Sequence, residues 1–70
     1  MDEEHQNRIL HLLDALSTAK IYAGAEMEAL CNEKDFNSAC TFNLVRDTLQ
    51  TEITVVSDYL EMNGGRKYNP

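Results

Sequence analysis

Two apolar stripes, each repeating at steps of three and four and separated by one polar break, leave this 70-residue chain few folds to choose from. In the first, Ile9, Leu13, Leu16, Ala19, Ala23, Met27 and Leu30 follow the helical period, and Leu10, Leu12, Tyr22 and Cys31 widen it. Ala, Leu, Glu and Met dominate this stretch and proline is absent from it, so helix propensity agrees with the pattern. Asp2, Glu3 and Glu4 place negative charge where the positive end of the helix dipole would lie. The spacing predicts a helix over about residues 3–33.

The second stripe runs Phe42, Val45, Leu49, Ile53, Val56 and Leu60, flanked by Val55, Tyr59 and Met62. Thr51, Ile53, Thr54, Val55 and Val56 are β-branched and suit a strand, yet the adjacent Val55 and Val56 break the alternation a strand requires. The unbroken three-four spacing therefore predicts a second helix over about 38–62. Between the two stripes, residues 32–38 are rich in turn and capping side chains. Asp35, Asn37 and Ser38 are all candidate N-caps, and Phe36 is a candidate for the outer half of a hydrophobic staple. A turn of about 34–37 joins antiparallel neighbours, so residues 1–63 read as an all-α, antiparallel two-helix hairpin. Asn63-Gly64-Gly65 stops the second helix, and 64–70 is expected to be a flexible C-terminal tail.

A lone hairpin of this length cannot hide both stripes and their flanks. Each large apolar side chain is worth roughly 1.5–3 kcal/mol when fully buried. Ordering the backbone and side chains costs on the order of 1.5 kcal/mol per residue. A homodimer closing a four-helix bundle is the expected remedy, with Leu13, Leu16, Ala19, Ala23, Gly24, Leu49, Ile53, Val56 and Leu60 as its core. The small residues around Gly24 suit the close approach of another backbone or of a ring such as Tyr22 or Tyr59.

Side chains that could carry chemistry are few. Cys31 and Cys40 flank the turn and read as small buried hydrophobes. A metal site is not expected: His11 lies twenty residues before Cys31, about 30 Å along a helix, and His5 and His11 point to different sides of it. No phosphate-cradling glycine loop, nucleophile elbow or zinc-protease helix is present. Neither catalytic residues nor a cofactor are expected.

Charge narrows the choice of partners. All twelve acidic residues lie between Asp2 and Glu61, against four basic residues in that span, while Arg66 and Lys67 make the tail positive. A body at −8 repels phosphate backbones, which disfavours nucleic acid and favours a protein partner with a basic surface. The N-terminus is acidic where a secretory leader is basic and then apolar, and no run approaches the ~18 apolar residues of a membrane span. A cytoplasmic protein with no membrane contact is expected.

The functional expectation is a small, acidic, non-enzymatic regulator or inhibitor that binds another protein. Its contact surface would combine Tyr22, Glu26, Phe36, Val55, Tyr59 and Met62, since aromatic anchors ringed by charge mark interfaces. Two alternatives stand beside it: a nucleic-acid mimic or RNA-binding hairpin regulator, and a purely structural oligomerisation module. In layout the chain is similar to the dimeric hairpin regulators of plasmid copy number, which are acidic yet bind paired RNA loops, but the likeness is one of architecture and no residue motif carries over.

Overall fold

A computed structural model describes residues 1–69 and is built from α1 (Glu3–Asn32) and α2 (Phe36–Met62). The helices run antiparallel, as the short connection requires. Asp2 caps α1, its carboxylate accepting the Glu4 N–H at 3.1 Å, and Glu3 and Glu4 fill the first turn. Glu4 also pairs with Arg8 one turn on, at 3.2 Å.

Local chemistry at the turn explains why the boundaries shift from those the sequence predicts. α1 stops at Asn32 because the chain turns left-handed at Lys34, with φ 62°. The Lys34 N–H then donates to the Cys31 carbonyl and the Asp35 N–H to that of Leu30, satisfying two carbonyls the helix leaves open. Asp35, the first of the three candidate caps, starts α2: its side chain accepts the Ser38 N–H at 3.2 Å. Phe36 is consequently the first residue inside α2 rather than the outer half of a staple, and its ring is exposed.

The β-branched stretch of α2 stays helical. Thr51 and Thr54 turn their hydroxyls back onto the carbonyls of Asp47 and Gln50, so the residues best suited to a strand make bonds within the helix instead. At the far end Gly64 takes φ 76° and donates to the Glu61 carbonyl, while the Gly65 N–H donates to that of Leu60. This is the same closing geometry as at Lys34, here with glycine in the left-handed position.

Leu13, Ile53 and Leu60 form the buried core, with Ile9, Leu10, Leu16, Val56 and Tyr68 packed around them. Towards the turn the helices meet through the small buried side chains Ala23 and Ala39. Tyr68 in this cluster belongs to the segment expected to form the C-terminal tail. After the glycine pair the chain folds back over α1, the Arg66 N–H donates to Gln6 Oε1 at 2.7 Å, and the Tyr68 ring reaches the core. An aromatic side chain leaving an αL turn beside a half-covered core gains more by docking than by staying in water. Pro70, the last residue of the expected tail, lies outside the described residues.

The result is a rod of 48 × 15 × 14 Å. Its radius of gyration is 14.8 Å, where a compact chain of this length has about 11 Å. Among the described residues no helix is long and apolar enough to cross a membrane.

Candidate functional site

A two-helix rod has two long faces, one on each side of the plane containing its axes. Contacts between the helices fix which residues lie on each. His5 of α1 and Tyr59 of α2 share a hydrogen bond at 2.9 Å and pack edge to face, so their flanks bound one side. Lys20 bonds to Gln50, and Gly24 lies under the stem of Arg46, so these flanks bound the other.

The second side carries the tail. The Tyr68 hydroxyl lies 2.8 Å from Ser17 Oγ and 3.3 Å from both the Leu13 carbonyl oxygen and Asp14 Oδ1. Beyond Ser17 the face continues as a groove of about 340 Å³ between the helices, lined by Ser17, Lys20, Ile21, Gly24, Arg46, Gln50 and Ile53.

The first side is uncovered. At 100° per residue α1 presents Leu12, Ala15, Leu16 and Ala19 here, with Arg8 and Glu26 at the two ends of the row. α2 presents Thr41, Val45, Thr48, Leu49, Val55, Val56 and Tyr59, with Glu52 the one charge among them. Thr41, Leu44, Val45, Thr48, Leu49 and Glu52 line a shallow apolar depression on it. In a chain of net charge −6 the middle of this face, between Arg8 and Glu26, carries Glu52 alone. It also leaves the rod with excess surface: 4965 Å² is exposed, where a compact 8.0 kDa protein exposes about 4,500 Å².

The nine residues expected in a dimer core divide between these environments. Leu13, Ile53 and Leu60 are consumed inside the hairpin, and Ala23 is buried between its helices. Leu16, Ala19, Leu49 and Val56 lie on or at the edge of the uncovered side. Gly24 turns to the opposite groove, where the Arg46 side chain, not another backbone, covers it.

The six expected partner contacts do not form one patch. Val55 and Tyr59 lie together on the uncovered side, with Met62 one turn further on. Phe36 and Met62 begin and end a 27-residue helix, about 40 Å apart at 1.5 Å per residue. Tyr22 projects from the back of α1, 71% exposed. Glu26 is exposed on the same helix, one turn beyond Tyr22.

Several surface features have no counterpart in the sequence reading. Ile21 and Leu44 are 71% and 66% exposed; both lie off the core stripes, and an apolar residue off-stripe was the available signal. The placing of Lys20 and Arg46 in the lining of one groove, and the docking of Tyr68, bring together residues far apart in sequence and leave no local pattern.

Cys31 and Cys40 are free thiols and both are exposed, which corrects the reading of buried hydrophobes. They line a shallow depression beside the turn with Met27, Phe36 and Ala39. Among the described residues no three His, Cys, Asp or Glu side chains converge as a metal site. No protein-family model, curated protein or solved structure matches the chain.

Proposed function

We propose that this chain pairs with a second copy through the uncovered side, closing a four-helix bundle, and that the bundle is a non-enzymatic regulator that binds another protein. One observation carries the reading: the middle of one long side of an otherwise acidic rod is apolar, with Glu52 its one charge. The side of the rod open to a second copy measures 48 by 15 Å. A two-fold axis lets the small Ala15 and Ala19 of one copy receive the bulkier Val45 and Leu49 of the other. Exposed Tyr22 and Phe36, with the acidic side chains near them, then remain on the outside for a basic partner surface.

Sedimentation equilibrium at micromolar concentration tests the pairing. The expected result is a particle of twice 8.0 kDa that Ala19→Glu or Val45→Glu reduces to a helical single chain. A wild-type chain that sediments at 8.0 kDa and melts cooperatively removes the proposal. The regulatory part is tested with a photo-crosslinker at Tyr22, where a discrete heterologous adduct is expected. Adducts confined to a second copy would leave a structural oligomer and no regulator.

A further inference from the structure

We infer that the groove on the tail-bearing side is a docking site for an acidic peptide segment, one that sets a carboxylate beside an apolar side chain. Lys20 and Arg46 supply the charge. In a chain with twelve carboxylates, neither cation makes an ion pair: among the described residues the sole ion pair is Arg8 with Glu4. Lys20 donates instead to the neutral amide oxygen of Gln50, and Arg46 to that of Asn43 at 2.7 Å. Asp14, Glu28 and Asp47 lie on the same flanks of the two helices and leave both cations unpaired. Two cations held on neutral amides at an open groove keep donors free for an incoming carboxylate.

The apolar half of the site is formed by Gly24 and the buried Ile53 at its floor, with the exposed Ile21 at its rim. Gly24 deepens it, since the absent side chain leaves the stem of Arg46 as the nearest neighbour. That polypeptide is the occupant follows from what already lies at one end. The chain's own segment 66–69 is seated on this side, with its backbone bonded to Gln6 and the Tyr68 ring packed on the core. Ser17 touches both, bonding to the Tyr68 hydroxyl and lining the open groove beyond it. A partner segment would extend the track the tail begins. Overall net charge opposes an acidic ligand, but at physiological salt that repulsion is screened beyond about 8 Å, whereas a carboxylate between Lys20 and Arg46 is in contact. This side is opposite the proposed pairing face, so the site stands or falls separately from the dimer.

The test is fluorescence polarisation with a short labelled peptide alternating leucine and glutamate, against matched peptides carrying glutamine or lysine in place of glutamate. The glutamate peptide should bind about tenfold more tightly than the glutamine one, and the lysine peptide should not bind. The double variant Lys20→Gln with Arg46→Gln should erase the difference between the first two. Arg46→Lys, which keeps the charge, should retain most of it, and Gly24→Leu should block binding by filling the floor. Amide shifts on titration should centre on Ser17, Ile21 and Ile53. Equal binding of the glutamate and glutamine peptides would overturn the inference. So would shifts confined to Val45 and Leu49, or a preference for phosphatidylserine vesicles over the peptide.

Discussion

At the scale of single residues, two glycines show how context reverses the effect of the same change. A methyl group at Gly24 would lie 3.7 Å from Arg46 Cδ, an ordinary contact. Gly24→Ala should therefore recover helix propensity and raise stability by about 0.8–1 kcal/mol. At Gly65 the same methyl would lie 2.8 Å from Leu60 Cγ and 2.9 Å from its carbonyl oxygen. Gly65→Ala should cost about 1–3 kcal/mol, because a fully buried leucine would have to move. Urea denaturation of both variants at one fixed protein concentration measures the contrast, since association makes apparent stability concentration-dependent. The stop at Gly64-Gly65 was legible in the sequence because αL caps have local chemistry. What covers Gly24 was not, since Arg46 approaches it from another helix.

At the scale of elements, the turn carries a strain and a bond that can be separated. Lys34 holds φ 62°, a conformation costing an L-residue with a side chain roughly 1–2 kcal/mol. Lys34→Gly should relieve that cost and raise the thermal midpoint, by up to about 1 kcal/mol of stability once the greater chain entropy of glycine is counted. Asp35→Ala should do the opposite. It removes the acceptor of the Ser38 N–H and with it about 1 kcal/mol of cap stabilisation. Paired thermal melts followed by circular dichroism check both directions, and equal midpoints for the two variants would contradict them. That a turn joins two helices here was readable from composition. Which of Asp35, Asn37 and Ser38 caps α2 depends on the backbone geometry Lys34 imposes, and this shifted the start of the helix by two residues.

At the scale of the whole molecule, the hairpin is held by a thin core that its own C-terminal segment completes. Leu13 and Leu60 are the only large side chains fully buried among the described residues, and Tyr68 packs against their cluster. Tyr68→Ala should cost about 1–3 kcal/mol through lost packing and the lost hydrogen bond to Ser17. It should also raise amide exchange at Arg66, whose N–H is held by Gln6. An unchanged melt and unchanged exchange would mean that the segment contributes nothing to the fold. Docking of the segment also makes the molecule asymmetric, with one long side strapped and basic at its groove and the other bare and apolar.

The sequence by itself determined two helices, their length to within a few residues, their antiparallel sense and the glycine stop of α2, since periodicity and capping act between residues a turn or less apart. Only the tertiary structure decided which long side the tail covers and which stays open, that Lys20 and Arg46 line one groove, and that Cys31 and Cys40 are exposed. The physical reason is rotation about the helix axis. Both stripes are wide, with apolar flanks on either side, so the three-four pattern leaves the azimuth of each helix open. Contacts between residues more than 20 apart in the chain, such as Ser17 with Tyr68 or Gly24 with Arg46, then fix it.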